Sequence, residues 1–362
     1  MRRSASSSLP WLVTAVAVAL PCRPLARAAE PGPDLLPTVG SIERLDPRFD
    51  ALVPPGAVIE VLGSGFAWSE GPVWVASDKG GLPAGCLLFS DIPHNRIHRW
   101  QPDKGLAIFM EPAGFTGPAD YGRERGCNGL TLDREGRLIL CEHGDRRVAR
   151  LEPGGGKKTL ADSFQGKRLN SPNDAAVHSS GSIYFTDPPY GLPQGWDDPR
   201  RELDFCGVYR LAPDGTLTLL CDTMTRPNGI AFSPDEKTLY VAQSDPAAPI
   251  WRAFRVAADG TLADGGSGGR VFFDASGLAK TRRGLPDGLK VDAKGNLFAT
   301  GPGGVLVFAP DGTHLGTLLT GQATANCGFG ADGQTLFITA DSLLCRVRLA
   351  TKGRLPGGDA GR

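Results

Sequence analysis

One phrase recurs six times along this chain, and the repetition limits its possible folds more than any other feature. Each copy opens on a polar lead residue, usually beside Gly or Pro. It continues through an apolar strand and a turn with Gly or Asp into a second strand. The leads are Glu70, Asn128, Asn173, Asn228, Asp287 and Asn326, set 58, 45, 55, 59 and 39 residues apart. A period near about 40–50 residues with short strands is the spacing of propeller blades. The strand residues are β-branched and aromatic with period-two alternation, and no 3.6-residue stripe is sustained, which excludes a helical solenoid. Outer hairpins are legible around Pro213-Asp-Gly215 and Pro310-Asp-Gly312. The expected fold is all-β: a six-bladed β-propeller over residues 57–350. An apolar strand at 57–62 precedes the first copy without a partner of its own. Pairing this N-terminal strand into the last blade would close the ring and cover an open edge. Residues 29–56 then read as an N-terminal extension and 351–362 as a flexible tail.

The first 28 residues read as an address. Arg2 and Arg3 precede an uncharged, mostly apolar run at 9–20, and Ala26-Arg-Ala28 offers a small-x-small cleavage site. About a dozen apolar residues fall short of the roughly 20 that span a bilayer, so the segment predicts an exported protein, periplasmic or extracellular, with no membrane span after cleavage. The whole chain carries 39 basic and 39 acidic residues. Cleavage after Ala28 would remove four arginines and no acid, leaving 35 against 39, a net charge of −4. Such a balance offers no basic stripe for nucleic acid.

Blade geometry gives the repeats a direction. The six leads fall around one mouth of the central channel, and the segments after each second strand share that face, His143 among them. The Asp-Gly turns fall on the other face. Asn or Asp before Gly is ordinary turn chemistry. Glu70 is a poor turn former in the same place, and it marks the ring as more than turns. Glu70, Asn173, Asn228 and Asp287 converging on one axis would present only oxygen, with two negative charges, which is the ligand set of a hard cation such as calcium or magnesium.

The motifs then carry a resemblance. They are Trp68-Ser-Glu-Gly-Pro-Val-Trp74, Asn128-Gly-Leu-Thr131, Cys141-Glu-His-Gly-Asp-Arg-Arg147, Leu169-Asn-Ser-Pro-Asn-Asp174, Tyr184-Phe-Thr-Asp-Pro-Pro-Tyr-Gly191, Arg226-Pro-Asn-Gly229 and Pro286-Asp-Gly288. In this order, from about residue 60 to 350, the chain resembles the family of senescence marker protein, gluconolactonase and luciferin-regenerating enzyme, and most of all its exported bacterial gluconolactonases. The resemblance implies one Ca²⁺ at the channel mouth, with Zn²⁺ or Mg²⁺ as alternative divalent cations. It maps metal ligands onto Glu70, Asn228 and Asp287, and gives Asn173 a place on the metal or on the substrate. Ser171 stands where the animal branch has an arginine, so that arginine's substrate contacts do not carry over.

For a lactone, the implied chemistry is acyl transfer to water, with Asp287 as the catalytic base. Asn128, Asn173, His143 and Asn326 are the candidate substrate contacts. The expected partner is a small lactone, glucono-1,5-lactone foremost, and a propeller of this size can act as a monomer. Two alternatives keep the ring: a hydrolase of other lactones or phosphotriesters, and a non-catalytic sugar- or metal-binding propeller. Seven cysteines follow the address segment. If the Pro213-Asp214 turn is centred between those residues, Cys206 and Cys221 face each other within disulfide reach.

Overall fold

A computed structural model of the protein describes residues 36–118, 121–122 and 124–357. The proposed address segment lies outside them. Among the described residues, six antiparallel sheets of four or five strands surround one axis, with a small two-stranded ribbon beside them. The innermost strands are Ser69–Val75, Cys127–Leu132, Ala175–Val177, Pro227–Phe232, Leu289–Val291 and Thr324–Gly330. Each touches the next around the ring. This is the expected six-bladed β-propeller.

The second strands show why alternation fades inside a blade. Cys86–Asp91, Leu138–Glu142, Ile183–Asp187, Leu297–Gly301 and Thr335–Ala340 are buried at every position. Neighbouring blades cover both of their faces, so both faces must be apolar or internally bonded. Aromatic rings fill the wedges between blades. Trp74 of the first blade stacks on Phe337 of the sixth at 5.6 Å between centroids.

Ile59–Ser64 pairs with Leu343–Arg348 and closes the ring as expected. The extension does more than precede it. Thr38–Val39 adds an edge strand to the sixth blade, and Ser41–Arg44 crosses to pair with His314–Leu319 of the fifth. Gly40 joins the two at φ +64°, where a side chain would run into the Leu319 carbonyl. Arg282 grips Glu43 through two bonds of 2.8 and 2.9 Å and holds the crossing in place.

Two expectations are corrected. The tail is placed through Gly357: Thr351 Oγ1 donates to Asp292 Oδ2 at 2.7 Å, and Gly353 bridges to Asp292. Asp292 is wholly buried, so its carboxylate needs every donor it can reach, and the tail supplies one. Residues 358–362 lie outside the described chain. Cys206 and Cys221 do not face each other. The turn is a three-residue loop with Gly215 at φ +90°, and a bulge between Val208 and Tyr209 shifts the register again. Cys221 therefore sits opposite Val208, and the seven described cysteines are free. Among the described residues, no helix is long and apolar enough to cross a membrane.

Candidate functional site

The inner strands crowd at one level of the channel. A β-carbon on Gly229 would enter the Asp287 carbonyl, and one on Gly288 would enter the Asn326 amide. In four of the six copies, glycine after the lead thus lets the blade press closely against the next. In the third copy the position after the lead is Asp174, whose carboxylate is itself buried against the ring.

Glu70 is 2 % exposed, and its Oε2 accepts from Gly71 N at 2.8 Å and from Asn326 Nδ2 at 3.0 Å. Asn326 Nδ2 also reaches Asp174 Oδ2 at 3.4 Å, while its Oδ1 accepts from Cys327 N at 2.9 Å and meets Lys290 Nζ at 3.4 Å. Its amide is therefore engaged at both ends, as a bracket between two carboxylates. Lys290 Nζ lies 4.0 Å from Asp174 Oδ2 and puts a positive charge against the ring.

Asn228 Nδ2 donates to Ser244 Oγ at 2.9 Å, and that hydroxyl donates onward to Pro286 O. A serine whose hydrogen is committed elsewhere must accept from the amide, so the orientation of Asn228 is fixed. Asp287 keeps some exposure to the channel, yet its Oδ1 is enclosed and finds no hydrogen-bond donor. Asn173 is 2 % exposed, with its backbone carbonyl bonded to Gly129 N at 2.8 Å. Tyr190 brings its hydroxyl to Ser244 and its ring near Asp287, and burial holds its phenol above the usual range.

Charge in the ring is costly. Burial, and then the negative charge of Asp174, pushes Glu70 up to about 8. Burial, followed by Glu70 and Asp174, raises the Asp287 carboxyl well above the ordinary range. Burial also raises Asp174, against the opposing pull of Lys290. No three His, Cys, Asp or Glu side chains close around one point among the described residues. Two carboxylates, Glu70 and Asp287, share one buried field, with the Asn228 side chain beside Asp287. An orphaned carboxylate oxygen among buried like charges fits a hard divalent cation.

Asn128 and His143 stand together beside this set, with Asn128 Nδ2 3.3 Å from His143 Nε2. Burial pushes His143 down to about 3, so its imidazole is neutral. Sequence reasoning missed Asp174, Lys290 and Ser244. Asp174 had a signal, since it stands where four of its sister copies have Gly. Ser244 sits on Thr238–Asp245, the strand next to the lead Asn228, and only its segment, not the residue, was placed on the site face. A cavity of about 920 Å³ opens on the opposite face among the Asp133 and Asp214 turns, and Lys290 lines it. Its walls mix turn residues with strand residues such as Thr131, Ala175 and Ile230, and none of the lead residues lines it.

A profile described as the SMP-30/Gluconolactonase/LRE-like region matches residues 68–342. The gluconolactonase of Zymomonas mobilis is 43 % identical over 327 residues, covering 87 % of this chain and 88 % of that one. A solved gluconolactonase from Xanthomonas campestris is 34 % identical and superposes with a TM-score of 0.73, over 88 % of this chain and 99 % of the other. A luciferin-regenerating enzyme shares the fold at 17 % identity, with a TM-score of 0.64 over 83 % of this chain and 98 % of that one. With its six blades, its ring of leads and these likenesses together, the chain belongs to the SMP-30/gluconolactonase/LRE-like family.

Proposed function

We propose that this protein hydrolyses a sugar lactone, glucono-1,5-lactone foremost, using one calcium ion held by Glu70, Asn173, Asn228 and Asp287. A lactone hydrolase is supported by the gluconolactonase relatives, which the chain matches along most of its length. The observation that carries the cation is the partnerless Asp287 Oδ1 among buried like charges. When bound, such a cation supplies Lewis acidity toward a carbonyl oxygen.

The protein's own side chains do the rest. Asp287 orients a water and takes its proton through the carboxylate oxygen left without a donor. Ser244 fixes the Asn228 amide, and Asn326 with Lys290 keeps Glu70 and Asp174 from swinging apart. Tyr190, whose hydroxyl meets Ser244 within the field of Asp287, belongs to the Asp187-to-Gly191 segment, which Ser171 clips by accepting from Gly191 N at 2.9 Å and donating to Pro188 O at 2.5 Å. The segment holding Tyr190 is thus secured by the serine at the animal branch's arginine position.

Export and action as a monomer belong to the same proposal. The first is supported by the charged start and small-x-small site of residues 1–28, the second by a ring that one chain closes alone. The test is acid release from a lactone panel by the purified protein. Hydrolysis of glucono-1,5-lactone that is lost in chelator and restored by Ca²⁺ is expected. Turnover indifferent to chelation would remove the cation, and no turnover on any lactone would leave a binding propeller.

A further inference from the structure

Besides the proposed ligands, one more buried oxygen at the ring lacks a partner: Asn128 Oδ1. What that atom can do depends on how the amide is held. Its backbone is fixed by Ser90 Oγ, which donates to Asn128 O at 2.7 Å. Its side chain meets His143 Nε2 at 3.3 Å. His143 is wholly buried, and its backbone N bonds to Gly126 O at 3.1 Å. Gly191 lies so close to its Cβ that a methyl group there would not fit. The imidazole is walled into one orientation.

A neutral imidazole carries a single N–H, and its second nitrogen accepts. His143 Nδ1 is enclosed without a hydrogen bond of its own, and it faces Glu124, whose carboxylate Oε2 lies 3.5 Å away and whose backbone is also within its field. Both oxygens are acceptors. A hydrogen on Nδ1 is attracted to them, whereas a hydrogen on Nε2 would leave the Nδ1 lone pair facing negative oxygen. With the hydrogen on Nδ1, Nε2 must accept. Asn128 then presents its NH₂ to the histidine, and its Oδ1 is the end left over.

We infer that Glu124 and His143 are a positioning pair that fixes Asn128 as a hydrogen-bond acceptor at the ring, and that this acceptor takes a hydroxyl hydrogen of a polyhydroxylated lactone. An amide oxygen repels a carbonyl oxygen or an oxyanion. The donors on a sugar lactone are its hydroxyls, so Asn128 selects hydroxylated substrates over plain ones. The substrate half rests on the lactonase reading; the positioning half does not.

Nitrogen-15 NMR on the full chain with labelled histidine tests the pair directly, with the His143 signals assigned by their loss in His143→Gln. A neutral Nδ1–H tautomer, unchanged from pH 5 to 8, is expected, and an Nε2–H tautomer overturns the positioning pair. Kinetics on glucono-1,5-lactone and unsubstituted δ-valerolactone test the acceptor. In Asn128→Leu the ratio of the two kcat/KM values should fall about tenfold through KM, the worth of one hydrogen bond, while calorimetry still counts one Ca²⁺ per chain. Glu124→Ala, a milder surface change, should move the ratio the same way and shift the His143 signals. An unchanged ratio, or Ca²⁺ binding lost in Asn128→Leu, overturns the acceptor role, the latter by making Asn128 a cation ligand. Wild-type protein that turns over neither lactone refutes the substrate half together with the lactonase reading, and the tautomer still decides the pair.

Discussion

Asp287 and Asn128 both hold an enclosed oxygen without a donor, but the two differ in charge, and their variants should differ accordingly. Asp287→Ala removes a charged ligand and the proposed base, so turnover should fall by about 10²–10⁴-fold and the calcium titration should weaken. Asn128→Ala should lower activity less and leave calcium occupancy intact. Steady-state lactone hydrolysis with calorimetry on both proteins checks this, and equal loss of calcium would place Asn128 among the ligands. At this scale the sequence was informative where a lead stood out from its copies. Glu70 did so by being a poor turn former, and the structure sets it against Asn326 and Asp174. Asn326, a candidate substrate contact or turn residue in the sequence, has its amide engaged at both ends by Glu70, Asp174, Cys327 and Lys290. Amide orientation depends on neighbours from other blades, which no local pattern reveals.

At the scale of strands, the glycine after four of the six leads sets how closely blades converge. Gly229→Ala would press a methyl group into the Asp287 carbonyl. Overpacking of this kind costs about 1–3 kcal/mol, so the denaturation midpoint should drop. Calcium affinity should fall with it, because the displaced backbone carries a ligand. A variant that loses stability but binds calcium normally would separate the two effects. The repeated inner strands were legible because lead, apolar run and turn recur together. The short edge strands were not, since Thr38–Val39 and Ser41–Arg44 hold six residues between them and show no alternation long enough to read. Their role can be tested by deleting Ser41–Arg44, which bares the edge of His314–Leu319 and removes the Arg282–Glu43 contact. A fall in Tm of about 5 °C is expected by thermal scanning, with greater self-association from the open edge. Register failed to follow from the turn sequence for a related reason. Moving the loop centre by half a residue, and then adding one bulge at Val208, was enough to separate Cys206 from Cys221.

For the molecule as a whole, the buried ring couples protons to stability, and under the calcium proposal it couples both to the cation. Glu70 is raised from 4.5 to about 8 in the folded, cation-free protein. Between those values the folded state holds more protons than the unfolded chain, so stability falls as pH rises through that window. Below it both states are protonated, and the penalty vanishes. Calcium requires the ionised carboxylates, so its binding should release protons near neutral pH and flatten or reverse the slope. Denaturation midpoints in chelator at pH 5 and pH 8, with and without Ca²⁺, check the direction; a chelated protein more stable at pH 8 would contradict it. Export is checked separately by intact mass: protein recovered outside the cytoplasm should begin at Ala29, and retention of Met1 to Ala28 would defeat the proposal. The pairing of Ile59–Ser64 with Leu343–Arg348 has a consequence for the order of events during synthesis. Ile59–Ser64 is made long before its partner, and Ser41–Arg44 likewise waits for His314–Leu319. The circle therefore cannot close before Leu343–Arg348 exists, however slowly the chain emerges. Until then the polypeptide stays an open arc, with the edge that Ile59–Ser64 will cover left bare.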